Sequence, residues 1–400
     1  MSAALIAGMT LGNIGGNLMP VLLTGYAARF GLSGAGSGGV AAAQLLTTAA
    51  LTLVLARRAT RPGRARMARV GLVVAAAGFA CAALAPDPAV LTVANVLAGA
   101  GVGAVFAASA AGLAATGDAD RASRVAVLGS TAAIAVLLVA VPAADGSWGT
   151  GAGFAVVAVC CVPAFVLVGR LPERPGQSAM DAVPSVGAPG VVLLGAVALL
   201  IAADQGTWSY AAVFGEEHVH LSSSAVSAVL AVAGICALGG VVAGSLGARR
   251  FGRVPVLAGC LALRAVATCV VVSAGSAVPY AVAMVVWQCC YLAVLVLVLA
   301  AAADIDAGGR WAAALSGATT VGTGLGPPAV GVLLDAVGPR GLGVVLLLAS
   351  CVAAVPLLGM ARGSGGTAAL ERLWGPGRAE GSGVPAVAGA LGPDLDGVDE

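Results

Sequence analysis

Charged side chains are scarce in this chain, and lysine is absent altogether. Only 10% of the 400 residues are charged, against roughly 25% in an average soluble domain. Aromatic residues make up 4% and histidine occurs twice, whereas apolar residues reach 60% and the mean hydropathy is +1.01. A water-soluble fold of this composition would expose far too much apolar surface. The sequence therefore predicts a protein that crosses a membrane several times.

Apolar runs recur along the whole chain, each of about twenty residues, the length that a helix needs to cross ~30 Å of hydrocarbon. Taking each run between turn or charge signals as one helix predicts twelve transmembrane helices and an all-α fold. The predicted helices cover residues 3–27, 38–56, 68–86, 89–115, 122–143, 150–170, 188–212, 222–246, 254–275, 277–303, 310–334 and 341–361. The first run is too long for a signal peptide and has no basic segment before it, so we expect it to be retained as a helix.

Nearly all of the arginines fall in alternate gaps between the predicted helices. Seventeen lie in the even-numbered gaps and the C-terminal tail, whereas Arg29 and Arg340 lie on the other side and Arg264 lies within a helix. Short loops rich in arginine face the cytoplasm, so we expect a multi-pass protein of the plasma (inner) membrane with both termini cytoplasmic. Because topology explains the arginines, nucleic acid is not expected as a partner.

Short sequence features recur at near-constant spacing in the two halves of the chain. Three pairs share this spacing: Leu32-Ser33 with Leu221-Ser222, Ala56-Arg57-Arg58 with Ala248-Arg249-Arg250, and Asp118-Ala119-Asp120 with Asp304-Ile305-Asp306. They predict a duplication into two parallel repeats of six helices around a central cavity. We predict an N-terminal six-helix bundle at 1–170, a cytoplasmic linker at 171–187, a C-terminal bundle at 188–361 and a disordered cytoplasmic tail at 362–400.

Basic motifs follow the second and the eighth predicted helices. The first reads Arg57-Arg58-Ala59-Thr60-Arg61-Pro62-Gly63-Arg64, and the second reads Gly244-Ser245-Leu246-Gly247-Ala248-Arg249-Arg250-Phe251-Gly252-Arg253. With the twelve helices, the duplication and the Leu171-Pro172-Glu173-Arg174-Pro175 end of helix six, they resemble the major facilitator superfamily across residues 1–361. The resemblance implies gating roles for the loop arginines, which are Arg57, Arg58, Arg64, Arg249, Arg250 and Arg253.

Departures from the family pattern bear on proton coupling. Both basic loops lack the aspartate that is usual in the family, and Asn95 stands where the fourth helix of the family carries an arginine linked to proton coupling. Helix five has only Pro142 in place of the family antiporters' Gly-Pro motif, whereas Gly326-Pro327 lies in helix eleven. The resemblance therefore does not by itself assign drug–proton antiport.

In the fold that the resemblance implies, helices one, four, seven and ten line the central cavity. Each of them contains polar residues, which are costly in hydrocarbon and mark functional sites by default. The candidate cavity residues are Asn13, Asn17, Asn95, Gln205, Trp208, Trp287, Gln288 and Tyr291. A membrane-interface belt is the alternative for Trp208, and helix packing is the alternative for Trp287 and Tyr291.

Asp204 is the one acid well inside an apolar run, which makes it the candidate proton-coupling residue. Burial favours the neutral form of a carboxyl group, and such a group can exchange a proton when its surroundings change. Contact with the substrate and a structural pair with Arg264 are the alternatives. Arg264 falls in helix nine, which is usually peripheral in this fold, so snorkelling towards the membrane surface is another option for it.

These features predict a secondary transporter that moves a small organic solute through the central cavity by alternating access. The glycine runs Gly99–Gly103 and Gly322–Gly326 lie within predicted helices and lack the lysine of a nucleotide site, so close helix packing is their expected role. We expect the lipid bilayer, the solute and protons as partners, no metal or cofactor, and a monomer.

Export is favoured slightly over import of the solute. The alternatives are a nutrient or metabolite importer of the same fold and a receptor or scaffold that no longer transports. A polytopic membrane enzyme is less favoured, because the cluster at Glu216–His220 has no polar partner elsewhere in the sequence. The protein is therefore not expected to be an enzyme.

Overall fold

The computed structural model describes residues 2–116, 119–173, 188–305 and 310–363. The predicted linker beyond residue 173, the predicted tail beyond residue 363, and Asp118 and Asp306 of the repeated acidic pair lie outside these ranges. The helices are α1 (Ser2–Gly12 and Ile14–Phe30), α2 (Gly34–Ala59), α3 (Arg64–Leu84), α4 (Pro88–Ala114), α5 (Ala119–Trp148), α6 (Ala152–Leu167), α7 (Ala188–Ser209), α8 (Ser223–Phe251), α9 (Arg253–Ser273), α10 (Ala277–Ile305), and α11 and α12, the two parts of Arg310–Gly363.

The number of membrane-spanning helices follows from their length and composition. Ten helical segments in the described ranges are long and apolar enough to span a membrane, and the bent pair that forms α1 adds an eleventh. The segment Arg310–Gly363 is two helices, because Gly338 has non-helical angles (φ 68°, ψ 178°) and Pro339 follows it. Glycine tolerates a positive φ, and proline suits the first position of a new helix. The prediction of twelve helices in an all-α fold is confirmed.

Two local predictions were wrong. The first helix, predicted as one run over 3–27, is broken by 45° between Gly12 and Ile14, in a segment whose glycines lower helix propensity. The segment Glu216–His220, predicted as a loop, contributes to a π-helical turn at Phe214–His218. This turn is stabilised by packing, since the His218 ring lies 6.0 Å from the ring of Phe214.

Contacts between helix ends define two faces of the bundle. The guanidinium of Arg64, at the start of α3, donates to the carbonyl of Ala111 near the end of α4 at 2.7 Å. Arg29, at the end of α1, donates to the carbonyl of Ala82 near the end of α3 at 3.0 Å. We call the end that contains Arg64 and the other loop arginines the arginine face, and the end that contains Arg29 the opposite face.

The apolar core joins the two halves of the chain at the opposite face. One cluster of buried residues combines α1–α6 with the opposite-face parts of α7–α12, and it includes Leu18 and Trp208. A second cluster, which includes Leu297 and Leu357, lies in the arginine-face part of the second half alone. Among the described residues, the two halves therefore share a core at the opposite face and have separate cores at the arginine face.

The glycines at alternate positions of α4 let two helices approach it from different sides. A Cβ on Gly103 would collide with the backbone carbonyl of Thr48 in α2, and a Cβ on Gly99 would lie 3.2 Å from the Cα of Gln44. A Cβ on Gly101 would instead lie 2.8 Å from the Cα of Ala75 in α3. Residues four apart share a helix face, whereas residues two apart do not. The prediction of close helix packing at this glycine run is confirmed.

Candidate functional site

A buried ion pair joins α7 to α9 inside the second half of the chain. Arg264 Nη2 lies 2.8 Å from Asp204 Oδ1, and neither side chain is more than 5% exposed. The indole Nε1 of Trp287, on α10, donates to the same carboxylate oxygen at 3.0 Å. Three helices therefore converge on Asp204. Arg264 binds this carboxylate rather than extending to the membrane surface, so the snorkelling alternative was wrong.

The second carboxylate oxygen of Asp204, Oδ2, is buried without a hydrogen-bond partner. A buried acceptor in this condition costs free energy unless a proton or a water molecule satisfies it. A cavity of about 30 Å³ lies beside the pair, which is room for roughly one or two water molecules. Its walls are valine, leucine and isoleucine together with Tyr291 and Thr319, and it extends along α7, α10 and α11 towards Leu315, on the side of the arginine face.

Two further candidate residues of α7 contact α1 across the boundary between the halves. The side-chain amide of Gln205 donates to the carbonyl of Gly16 at 3.2 Å, and the indole of Trp208 donates to the same carbonyl at 3.1 Å. The rings of Trp208 and Trp287 lie 6.3 Å apart, so these contacts adjoin the ion pair. Because Trp208 is 7% exposed, the membrane-interface alternative for it was wrong.

The remaining candidate amide side chains lie on α1 and α10. Asn13 and Asn17 are half-buried, and their side chains donate to the carbonyls of Met9 and Asn13 at 3.0 and 2.9 Å, within their own helix. Gln288 is half-buried on α10 beside Trp287. The hydrogen bonds of Asn13 and Asn17 therefore stay within α1 and do not join these two side chains to Asp204.

Asn95 lies in a different environment from the other candidates. Its side-chain oxygen accepts from the hydroxyl of Tyr26 at 2.9 Å, and its amide donates to the carbonyl of Leu91 at 2.9 Å. The ring of Tyr26 stacks on Phe154 at 5.7 Å. Asn95 is fully buried, so in this conformation it connects α1 and α4 within the first half and does not join the set around Asp204.

Sequence analysis missed Gln44, a buried amide in α2. The side chain is fully buried, and neither its nitrogen nor its oxygen has a hydrogen-bond partner. It lies against Gly15 of α1, where an added Cβ would be 3.0 Å from its amide nitrogen. The signal was available, because an amide inside an apolar run is as unusual in α2 as it is in α7.

Comparison with known proteins identifies the family. The sequence profile of the Major Facilitator Superfamily matches residues 2–235, more than half of the chain. This chain belongs to the Major Facilitator Superfamily. It is therefore a multi-pass membrane protein with the fold of secondary transporters of small solutes. No curated protein matches the sequence significantly.

Solved structures share this superfamily member's fold. A bacterial homologue of the human lysosomal transporter Spinster, inward-facing and unoccupied, has a TM-score of 0.68 at 16% identity, covering 94% of this chain and 98% of that one. A nucleoside transporter has a TM-score of 0.69 at 14% identity, covering 90% and 98%. A D-xylose–proton symporter has a TM-score of 0.67 at 16% identity, covering 90% and 95%. At these identities the likeness shows the fold alone.

The loop arginines of this superfamily member lie at the arginine face. The predicted gating residues there are Arg57, Arg58, Arg64, Arg249, Arg250 and Arg253. Arg64 is fully buried against the end of α4, whereas Arg249 is exposed and Arg250 lies over the ring of Phe251 at 5.4 Å. Arg64 therefore ties the first loop to the end of α4 within its own half.

The carboxylate of Glu173 caps the start of α3. It accepts from the backbone N–H groups of Gly63 at 2.6 Å, Ala65 at 2.9 Å and Arg64 at 3.3 Å. Burial alone raises the pKa of Glu173, but these N–H groups and the charge of Arg64 outweigh it and hold the pKa below its usual value. The carboxylate thus satisfies the free N–H groups of the helix start.

We expect Glu173→Gln to lower the stability of the protein by about 0.5 kcal/mol at pH 7, because glutamine keeps an acceptor oxygen but loses the charge that favours the helix start. Because the pKa is lower in the folded state, the charged carboxylate stabilises the fold above the usual pKa of glutamate, and this contribution is lost as the pH falls through the folded-state value. Thermal unfolding in detergent should show the difference at pH 7 and a smaller one at about pH 4. The exposed Glu217→Gln is the control, and an equal difference at both pH values would contradict the assignment.

Proposed function

We propose that this protein is a proton-coupled secondary transporter of a small organic solute, with Asp204 as the proton-binding group. The observation that carries the proposal is that the two carboxylate oxygens of Asp204 differ in their hydrogen-bond partners. Oδ1 is occupied by Arg264 and Trp287, whereas Oδ2 is unpartnered beside a cavity that can hold water. A proton on Oδ2 changes the charge of the site while both contacts to Oδ1 can persist.

The position of Asp204 supports a route from protonation to conformational change. Gln205 is the next residue along α7 and Trp208 lies one turn further, and both bind the carbonyl of Gly16 in the other half. Protonation weakens the attraction between Asp204 and Arg264, which frees α7 to shift relative to α9. A shift of α7 changes the contacts that join the halves. Alternating access requires this kind of coupling.

We propose the arginine face as the cytoplasmic side of the plasma membrane, which makes the present conformation one that is closed to the outside. Single cysteines introduced into a cysteine-free variant test this orientation. At Thr150 and Glu217, which are exposed near the opposite face, they should react with an impermeant maleimide added to intact cells. At Arg61 and Phe251, exposed at the arginine face, they should react only after permeabilisation. The reverse pattern would overturn the orientation.

We further propose that the solute is uncharged or amphipathic, that export is the direction, and that one chain is the functional unit. The support for the solute class is the aromatic character of the side chains near Asp204, namely Trp208, Trp287 and Tyr291. The test is reconstitution into liposomes with a panel of labelled uncharged and amphipathic solutes. Accumulation that requires an imposed pH gradient supports the proposal. Transport that does not depend on the pH gradient indicates a facilitator. A folded protein that moves no solute indicates a receptor or scaffold.

A further inference from the structure

Pro20 leaves one backbone carbonyl of α1 without its helical partner. In an α-helix the carbonyl of residue i accepts from the N–H of residue i+4, and proline has no N–H. The carbonyl that loses its partner is that of Gly16, four residues before Pro20. Gln205 and Trp208 of the other half donate to this carbonyl, at 3.2 and 3.1 Å.

The start of α2 offers a second set of backbone groups without helical partners. The first N–H groups of a helix have no acceptor within it. Those of Gly34 and Ala35 donate to the two carboxylate oxygens of Asp335 on α11, at 3.1 and 2.8 Å. The carbonyl of Gly34 also accepts from the hydroxyl of Tyr210, just after α7. A carboxylate is favourable at this position because the N-terminal end of a helix carries partial positive charge.

We propose that these contacts form a latch that keeps the opposite face closed. The Gly16 carbonyl and the N–H groups of Gly34 and Ala35, which their own helices leave unsatisfied, are satisfied by side chains of the second half, namely Gln205, Trp208 and Asp335. Tyr210 adds a contact to the Gly34 carbonyl. Separating the halves at this face would break these contacts together, including the part-buried ones made by Gln205, Trp208 and Tyr210. The inference rests on the alternating-access part of the proposed function, but it requires neither proton coupling nor any particular solute.

The glycines of α2 and α11 allow the approach that the latch requires. A Cβ on Gly38 would lie 2.6 Å from the carbonyl oxygen of Pro327, and a Cβ on Gly331 would collide with the Tyr210 hydroxyl and the Gly34 carbonyl. Gly34 and Gly38 are four residues apart and therefore share one face of α2. Close contact of this kind between helix backbones needs small residues.

Pro20→Ala tests the latch without removing any side chain that takes part in it. Alanine at position 20 restores the N–H that bonds the Gly16 carbonyl within α1, so it competes with Gln205 and Trp208. The helix itself gains stability from this change. Misfolding of α1 would therefore not explain an opening of the opposite face in this variant. We expect the population that is open at the opposite face to rise about fivefold, as the loss of one net hydrogen bond implies.

The measurement is the distance between spin labels at Thr150→Cys and Ala277→Cys, both exposed near the opposite face, one in each half. It uses cysteine-free full-length protein in lipid nanodiscs without solute, so neither failed transport nor failed proton coupling affects it. Asp335→Ala should raise the long-distance population by about two- to fivefold, the range for an exposed carboxylate at a helix N-terminus. Gly331→Ala should also raise the long-distance population, because the added methyl group pushes α2 and α11 apart.

The matched controls replace a proline and an aspartate of the first half that are not part of the latch. Pro163→Ala changes an exposed helical proline of α6, and Asp87→Ala removes a carboxylate that caps α4 by accepting from Val90 at 2.9 Å. Both should leave the distance distribution unchanged. The latch is overturned if Pro20→Ala and Asp335→Ala match the parent protein, or if the controls open the face as much as they do.

Discussion

Asp204→Asn is expected to abolish solute accumulation driven by a pH gradient, with a loss of more than about tenfold, while exchange without a gradient continues. Asparagine retains the volume of the side chain and an acceptor for Trp287, but it cannot bind and release a proton. The measurement compares accumulation and exchange in the same proteoliposomes, using a solute found with the panel. Normal accumulation by the asparagine variant under the same gradient would show that Asp204 is structural.

The ion pair makes a companion variant necessary. Removing one partner of a buried pair leaves the other charge uncompensated, at a cost of about 3–5 kcal/mol, so Asp204→Asn will also lower stability through Arg264. The double variant Asp204→Asn with Arg264→Gln removes both charges. If loss of coupling is the cause, the double variant regains stability and keeps exchange, but it still does not accumulate the solute. If it regains accumulation as well, the pair serves stability alone.

Trp287 provides a readout of Asp204 that needs no solute. Its indole donates to the carboxylate at 3.0 Å, so a change in the charge of Asp204 alters the electric field at that ring and shifts its emission. We expect the tryptophan emission of the purified protein to change with pH. The part of the change that depends on Asp204 should be absent in Asp204→Asn and smaller in Trp287→Phe, in which Trp208 still emits. An unchanged pH response in Asp204→Asn would contradict the proposed proton exchange.

Gly101→Leu is expected to prevent correct folding. Its first added carbon would lie 2.8 Å from the Cα of Ala75 and closer still to the carbonyl of Gly71, so α3 and α4 would have to separate along their backbones. Overpacking of ordinary cores costs about 1–3 kcal/mol, and a backbone contact cannot relax by changing a rotamer. We therefore expect a loss of at least about 3 kcal/mol.

The matched control is Gly234→Leu in α8, where nothing lies within 4 Å of an added Cβ. Both variants make the same chemical change inside a membrane helix, so a general effect of leucine on insertion would appear in both. Size-exclusion profiles and thermal unfolding in detergent provide the comparison. Equal behaviour of the two variants would contradict the assigned packing at Gly101.

Sequence analysis located the helices because membrane thickness sets their length and apolar side chains mark them. It could not fix the rotation of a helix about its own axis. The sequence therefore does not decide whether Asp204 pairs with Arg264, and it predicts Asn95 in the cavity although Asn95 bonds Tyr26. Rotation is set by packing against neighbouring helices, and the Gly101 contact with α3 is one of the interactions that determine it.

The latch was missed for a different physical reason. Its first-half partners are the Gly16 carbonyl and the N–H groups of Gly34 and Ala35, which carry no side-chain signature. Two signals were nevertheless present in the sequence. Pro20 necessarily frees the carbonyl four residues before it, and Asp335 is an acid at the end of a membrane helix on the side that carries few charges.

Main-chain partners also change how such an interface evolves. Because every residue type except proline offers the same N–H and carbonyl, small residues at positions 16 and 35 preserve the contacts. Position 34 needs glycine, because a Cβ there would lie 2.6 Å from Oδ1 of Asp335. No pair of amino acids has to change together across this boundary, so covariation among homologous sequences will not report it. Relatives that share the closure should instead be recognised one position at a time, by a proline in the first helix and an acid at the opposite-face end of the eleventh.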